Sequence, residues 1–299
     1  MGTYYIKDLE SITGIKAHTI RIWEQRHSLI FPKRTATNIR YYDDEDVKLL
    51  LNISLLNKKG LKISKIATLT RKEIQKEALL SSERGNEFED LLNTLILATY
   101  NLNEDEFNRV FANFASKEGF ENTILKLAFP LLQRLGDLWV SNALHPALEH
   151  FASNIVKKKL EHAIDSQNDK KPDFKRFLLF LPPGEMHELS LLFANYMIRH
   201  QGHEVVYLGQ NTPLHDLTEL VKCFKIDYLL TVFTNCKVEV DPAKFANDIH
   251  LKWPEVNLIL SGSRILNDIE GFNIRVNHLD KIKILNHPSQ LNLYLSEIK

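Results

Sequence analysis

Glu185 and His187 are separated by one residue and directly follow an apolar run, residues 177–181, that ends in a Pro-Pro-Gly turn. A histidine can present one ring nitrogen to a metal ion while a nearby carboxylate fixes the tautomer through the other nitrogen. The apolar run has the length and composition of a buried strand. The pair would then lie at the carboxyl end of a strand, where doubly wound sheets bind ligands. A solvated histidine in a polar loop is the alternative for such a pair taken alone.

A tryptophan and a Glu-His pair form a second constellation earlier in the chain. Trp139 falls near the end of one helical stretch, and Glu149 and His150 fall on the next. A flat aromatic ring beside a paired carboxylate and imidazole is suited to covering a flat ligand. The alternative is a tryptophan of the core together with an ordinary surface pair.

The N-terminal segment predicts a reader of nucleic acid. Two short amphipathic helices joined by a tight turn at Gly14 outline a helix-turn-helix, whose second helix enters the major groove of DNA. We expect Ile15, Ile20 and Trp23 to face the core of this domain. The basic, turn-rich residues 26–42 predict a β-hairpin wing. The side chains predicted to contact DNA are His18, Thr19, Arg21, Arg26, Lys33, Arg34, Arg40 and Tyr41.

The charge distribution agrees with this assignment. Residues 1–75 carry 14 Lys and Arg against 8 Asp and Glu, while the remainder carries 24 against 30, although the formal net charge is zero. A basic head on a mildly acidic body is typical of a DNA reader with an attached module. Solvated charges on a small helical domain are the alternative. We expect Glu24 to pair with a nearby arginine.

Several other classes of protein are disfavoured by composition. The two cysteines, Cys223 and Cys236, cannot build a disulfide framework, and no apolar run is long enough to span a bilayer. We therefore expect a cytoplasmic location without membrane association. An enzyme is the alternative from a different class, and the DNA-reading head and the lack of a barrel-sized catalytic domain argue against it. No carboxylate cluster suits two-metal chemistry on DNA, so we expect no enzyme activity. Zinc is a further alternative, with candidate ligands His145, His150, His162 and His187.

The elements that must position these residues predict a multidomain fold of α and α/β class. We expect a winged helix-turn-helix over residues 1–75, a linker over 76–90 and a four-helix bundle over 91–166. Alternating strands and helices then predict a flavodoxin-like, doubly wound parallel sheet over 176–299. Residues 274–276 are its expected last strand.

Two parts of the chain resemble known families. The motif Thr-Ile-Arg-x-Trp-Glu-x-Arg at residues 19–26, followed by Arg-Tyr-Tyr at 40–42 and an acidic helix start, resembles the winged-helix domain of MerR-type regulators over residues 4–72. The bundle with its Trp and Glu-His, followed by Glu-x-His, resembles the cobalamin-binding module of methionine synthase. Over nearly the whole chain the closer resemblance is to the adenosylcobalamin-dependent, light-responsive MerR-type repressors of carotenoid genes.

The resemblance implies a role for each candidate residue. His187 would be the lower axial ligand of the cobalt of cobalamin, and Glu185 would orient it. The nucleotide tail would enter a groove beside the sheet, and Trp139, Glu149 and His150 would cover the upper face as a cap. The residues expected at the groove are Ser190, Thr231, Thr234, Ser261, Gly262 and Ser263.

The resemblance also implies partners and a switch. The partners would be a double-stranded DNA operator and further copies of the chain, as a dimer or tetramer. Bound adenosylcobalamin would assemble a repressing oligomer, which light would dissociate by breaking the cobalt–carbon bond. Ser190 and Ser261 replace glycines of the family pattern, and Val140 replaces a histidine of its light-responsive members. These three positions support an alternative, a MerR-type regulator whose module senses another ligand or a protein partner.

Overall fold

The computed structural model describes most of the chain, namely residues 3–35, 37–58, 60–80, 86–140, 144–167, 171, 173–234, 239–277 and 279–298. The chain divides into two compact units, Met1–Ile155 and Val156–Lys299. Cys236 and the middle of the expected linker, residues 81–85, lie outside the described residues.

The first unit begins with the helix-turn-helix expected from the sequence. Its helices α1 (Ile6–Thr13) and α2 (Ala17–His27) are joined at Gly14, whose φ of 70° lies in the left-handed region that glycine adopts most readily. Ile15, Ile20 and Trp23 are buried. The predicted core face of this motif is thereby confirmed.

The predicted wing is also present. Strands β1 (Lys33–Arg34) and β2 (Arg40–Tyr41) pair antiparallel. The carboxylate of Asp43 then accepts the amide N–H groups of Glu45 and Asp46, at 3.1 and 3.0 Å, and so caps the next helix. That helix and the two after it are α3 (Asp44–Lys58), α4 (Ile63–Ile66) and α5 (Arg71–Leu80).

The helical bundle follows α5, and the described residues of the expected linker are helical. Its helices are α6 (Asn86–Tyr100), α7 (Glu104–Glu118), α8 (Phe120–Asn122), a π-helical segment Thr123–Ala128, α9 (Phe129–Val140) and α10 (Pro146–Asp165). Residues 76–80 continue α5 and residues 86–90 open α6, so the stretch expected as a linker over 76–90 is helical at both ends. Residues 76–80 are Lys-Glu-Ala-Leu-Leu, and all four residue types favour helix.

The second unit is a doubly wound sheet, as expected. Its strands are β3 (Arg176–Phe180), β4 (Glu204–Gly209), β5 (Tyr228–Val232), β6 (Asn257–Ser261) and β7 (Ile282–Leu285). They pair in parallel in the order β4-β3-β5-β6-β7, which is flavodoxin-like. The helices are α11 (Leu189–His200), α12 (Leu214–Cys223), α13 (Pro242–Lys252), α14 (Ser263–Leu266), α15 (Ile269–Arg275) and α16 (Ser289–Glu297).

The last strand lies later in the chain than expected. Ile274 and Arg275 end α15 and Val276 is its C-cap, so residues 274–276 form no strand, and β7 begins at Ile282. β7 is an edge strand in which half-buried Ile282 and Ile284 alternate with exposed Lys283. Such an alternating pattern is weaker than that of the central strands, which are apolar on both faces.

Within the described residues, no helix is long and apolar enough to cross a bilayer. The same part of the chain holds no group of three or more His, Cys, Asp or Glu side chains placed to share a metal ion.

Candidate functional site

Helix α2 presents a polar face opposite its buried one. His18, Arg21 and Arg26 are exposed on this helix, and Thr19 is half-buried. This arrangement follows from the 3.6-residue period, because Ile20 and Trp23 occupy the core face. The exposed face is therefore the side of α2 from which base edges or phosphates can be reached.

The wing is fixed to α2 through an acidic residue. The Glu24 carboxylate, only 6% exposed, lies 3.3 Å from Nε of Arg40 and also accepts the hydroxyl of Tyr42. Burial and the hydrogen bond to Glu24 raise the pKa of Tyr42. The expectation that Glu24 pairs with an arginine is confirmed. Arg40 and Tyr41 are consequently half-buried, whereas Lys33 and Arg34 are exposed.

The two exposed cations of the wing have partners in the chain. Nζ of Lys33 donates to Asp43 Oδ2 at 2.6 Å, and this contact raises the pKa of Lys33 and lowers that of Asp43. A guanidinium nitrogen of Arg34 donates to Oδ1 of Asn38 at 2.8 Å, within the turn of the wing.

Glu185 and His187 lie in the loop between β3 and α11, at the carboxyl end of the strand. The Glu185 side chain is completely buried, and its Oε1 accepts Nδ1 of His187 at 2.5 Å. The same oxygen accepts the amides of Met186 and His187, and Oε2 accepts the amide of Thr234 at 2.7 Å. With Nδ1 bonded to a carboxylate, the tautomer that places the lone pair on Nε2 is favoured. The His187 side chain is 58% exposed.

A cavity of about 240 Å³ opens beside this loop, between the sheet and two helices. Its walls are mostly apolar, with Leu230, Val232 and Ile259 from the sheet, Phe193 from α11 and Leu291 from α16. Sequence reasoning missed these residues, because nothing in their type distinguishes them from ordinary core residues. The cavity is also lined by groove residues that the resemblance implies, namely Ser190, Thr234, Ser261, Gly262 and Ser263.

The residues after β6 bring backbone close to backbone. Gly262 has a φ of 111°, and a Cβ on it would stand 2.2 Å from the carbonyl oxygen of Phe233. The hydroxyl of Ser261 donates to the Leu285 carbonyl at 2.9 Å, and that of Ser263 donates to the Thr234 carbonyl at 3.1 Å. Glycine is therefore required at 262, and both neighbouring hydroxyls are satisfied by main-chain oxygens.

Thr231 does not line the cavity, contrary to the sequence-based expectation. It lies on β5 between Leu230 and Val232, and strand side chains alternate between the two faces of a sheet. Thr231 therefore points to the opposite face with Leu229 and Phe233, which belong to the core on that side. Its hydroxyl is buried without a hydrogen-bond partner.

The second constellation lies where the sequence placed it along the helices. Trp139 is near the end of α9 and is 50% exposed, which is unusual for so large an apolar side chain. Glu149 and His150 lie in the first turns of α10, with Nδ1 of His150 3.0 Å from the Glu149 carboxylate. The His150 ring is exposed. Trp139 is thus not a core tryptophan.

Comparison with known protein families matches two segments of the chain. Residues 4–73 match the family described as MerR HTH family regulatory protein, and residues 91–164 match the family described as B12 binding domain. The chain joins a MerR-type helix-turn-helix to a B12-binding domain. The chain is therefore a transcriptional regulator with a MerR-type helix-turn-helix and a B12-binding domain.

Two curated relatives share most of the chain. The HTH-type transcriptional repressor CarH of Myxococcus xanthus is 28% identical over 237 residues, covering 76% of this chain and 77% of that protein. The HTH-type transcriptional repressor CarA of the same organism is 27% identical over 247 residues, covering 82% and 80%. The monomethylamine corrinoid protein of Methanosarcina barkeri has the same fold over 70% of this chain and 99% of its own, with a TM-score of 0.57 at 12% identity.

The cavity and the Glu185–His187 loop lie outside the segment that matches the B12 binding domain family, and their residues can be tested for a fit to cobalamin. An apolar slot of about 240 Å³ suits a flat heteroaromatic base. A histidine oriented by a buried carboxylate is the arrangement that presents imidazole to a metal. The residues of this unit are therefore compatible with a cobalamin.

Proposed function

We propose that this chain is a transcriptional repressor, not an enzyme, that binds adenosylcobalamin and couples ligand state or light to oligomerisation and operator binding. The observation that carries the proposal is the buried Glu185 carboxylate, which holds Nδ1 of the exposed His187 ring at 2.5 Å. A fully buried carboxylate is costly unless it has a specific partner, and here the partner is an imidazole facing outward. His187 is the proposed cobalt ligand through Nε2.

Two sets of residues would hold the rest of the cofactor. In the second unit, the apolar cavity, with Thr234, Ser261 and Gly262 at its edge, would take the nucleotide tail. In the first unit, Trp139, Glu149 and His150 are the side chains that the resemblance assigns to the cap. When bound, adenosylcobalamin supplies a cobalt–carbon bond that visible light cleaves.

A polar contact inside the first unit supports coupling between the bundle and the DNA reader. The Tyr4 hydroxyl, just before α1, lies 2.7 Å from Asp44 Oδ1 and 3.2 Å from Asn101 Oδ1. The Asn101 amide in turn donates to Asp44 at 2.9 Å. Asp44 opens α3 and Asn101 follows α6, so a rearrangement of the bundle bears directly on the helix-turn-helix.

The proposed DNA interface is the exposed face of α2 together with the wing. His18, Thr19, Arg21 and Arg26 come from the helix, and Lys33, Arg34, Arg40 and Tyr41 come from the wing. Cations on two adjacent elements suit a duplex, because one element can read bases while the other contacts the backbone. An operator with two half-sites would require at least a dimer.

The first experiment is a binding assay with a light step. The full chain is mixed with adenosylcobalamin in the dark, freed of unbound ligand by gel filtration, and its visible spectrum and elution volume are recorded before and after green light. We expect a retained corrin spectrum that changes on illumination, together with a change in oligomeric size. The His187→Ala variant should lose protein ligation of cobalt, while His215→Ala, which alters an exposed histidine on α12, should behave like the parent.

Two results would change the proposal. A retained but light-inert spectrum would indicate a cobalamin sensor without a light switch. No retained chromophore would favour the alternative, a regulator whose module senses another ligand or a protein partner.

A further inference from the structure

The loop that carries His187 is anchored on both sides of the histidine. On one side, the Gln210 side-chain amide donates to the carbonyl of Met186 at 2.8 Å. On the other side, the Glu188 carboxylate accepts Nζ of Lys157 at 2.7 Å and the hydroxyl of Tyr207 at 3.0 Å. Glu188 belongs to the loop, Lys157 to α10 and Tyr207 to β4, so the contact joins three elements.

The protonation states of this triad are fixed by its own contacts. The hydrogen bond that Lys157 donates to Glu188 raises the pKa of Lys157, and burial together with the charge of Glu188 raises the pKa of Tyr207. Lys157 therefore remains an ammonium and Tyr207 a phenol, so that both donate to the carboxylate. Glu161 lies 3.8 Å from Lys157 and reinforces the ammonium form.

The Glu188 side chain makes these contacts instead of capping its own helix, α11. Glu188 is the N-cap residue of α11, yet its side chain makes no capping hydrogen bond. Its side chain is only 13% exposed, so the carboxylate has largely left water. A capping role would have left it solvated and close to its own helix. The position of Glu188 is instead set by groups distant in sequence.

We infer that Glu188, held by Lys157 and Tyr207, is a positioning residue that sets where the His187 imidazole stands and hence whether it ligates cobalt. The inference rests on the proposed function. Glu185 fixes the tautomer of the ring, whereas Glu188 fixes the backbone that carries the ring. Because Lys157 belongs to α10, movement of that helix alters the His187 loop directly.

The test measures the nitrogen bound to cobalt. The full chain is produced with ¹⁵N-labelled histidine and loaded with cob(II)alamin of natural abundance, and electron paramagnetic resonance is recorded. A ¹⁵N ligand from the protein splits each cobalt line into a doublet, whereas the cofactor's own ¹⁴N base gives a triplet. We expect a doublet for the parent.

The variants are Lys157→Met and Glu188→Gln, with Lys157→Arg as the conservative change. Each of the first two removes one charge-assisted hydrogen bond, so the ratio of His-ligated to other species should fall about tenfold, equivalent to about 1.4 kcal/mol. Lys157→Arg should restore most of the doublet. Lys222→Met removes an exposed lysine paired with Glu219 on α12 and should leave the doublet unchanged.

A readout without cofactor separates positioning from general stability. In the cofactor-free chain, hydrogen exchange of the peptide spanning residues 184–189 should be faster in Lys157→Met, while that of β3 stays within about twofold of the parent. A full doublet in both Lys157→Met and Glu188→Gln would overturn the inference and leave the proposed function intact. A parent that retains no cobalamin, or shows no doublet, would overturn the His-ligated model and the inference with it.

Discussion

Replacing Glu185 with glutamine tests the geometry on which the proposed cofactor site depends. Within the part of the chain that the structure describes, the buried carboxylate accepts two backbone amides and the ring of His187 on Oε1 and the amide of Thr234 on Oε2. Glutamine offers one acceptor oxygen and one NH₂ group. The least damaging orientation keeps the oxygen toward His187 and turns the NH₂ group toward the Thr234 amide, so two donors face each other.

The cost follows from that single lost contact. A hydrogen bond to a charged acceptor contributes about 1.5–3 kcal/mol, and a buried donor left unpaired costs a similar amount. We therefore expect Glu185→Gln to lower the opening free energy of the second unit by about 2 kcal/mol. That value corresponds to roughly 30-fold faster exchange of amides that exchange only through opening of the whole unit.

Hydrogen exchange of β3 in the cofactor-free full chain is the appropriate assay, because it reports on the second unit alone. The matched control is Glu219→Gln, which changes a carboxylate that is 74% exposed on α12 and should alter stability by less than about 0.5 kcal/mol. Exchange of β3 within twofold of the parent in Glu185→Gln would refute the reasoning. In the loaded protein the same variant should bind cobalamin about 10- to 100-fold more weakly, because a histidine ligand loses its carboxylate partner.

Three further predictions concern other parts of the chain. Arg21→Ala should weaken binding to a DNA duplex that the parent selects from a random pool, and should reduce the slope of log affinity against log salt by about one. The control Arg109→Ala on α7 should change neither quantity, and equal affinities of Arg21→Ala and the parent at matched salt would contradict the assigned interface. Burial, followed by the nearby lysine charge, holds the pKa of His203 below its ordinary value, so the unfolded state binds a proton first as pH falls. The free energy of unfolding should therefore decline below about pH 6.5. When urea midpoints are measured across pH, this decline should be smaller in His203→Asn than in the control His215→Asn, and parallel profiles of the two variants would argue against this cause. Thr231→Val removes a buried hydroxyl without a partner and should raise the thermal midpoint, by about 1 kcal/mol of stability, without affecting cobalamin retention; weaker retention would return Thr231 to the ligand site.

The sequence predicted those parts of the site that depend on local order. Glu185 and His187 follow an apolar run and a Pro-Pro-Gly turn, so their place at the carboxyl end of β3 required only the strand itself to be recognised. The two faces of α2 were predicted for the same reason, since Ile20 and Trp23 mark the buried one. In each case the functional residue lies within a few positions of the pattern that locates it.

Thr231 shows what local order cannot supply. A central parallel strand is apolar on both faces, because helices cover both sides of the sheet. β5 therefore lacks the alternation of polar and apolar residues that would show which of its side chains point to which face of the sheet. Which of Leu230 and Thr231 faces the cavity depends on the packing of α11 against one face, and that packing is set by residues distant in sequence.

The departures from the family's glycines can be weighed by the same physical criteria. A glycine is indispensable where φ is positive or where a Cβ would overlap backbone, and Gly262 meets both conditions. Ser261 meets neither in the structure, because its hydroxyl donates to the Leu285 carbonyl across the strand pair and is satisfied there. Ser190 is exposed on the first turn of α11 and also lines the cavity, so its hydroxymethyl group borders the proposed site of the nucleotide tail. The position at which an extra side chain would displace the backbone beside the cavity thus retains its glycine, and the fit of the tail depends on the space left beside the two serines.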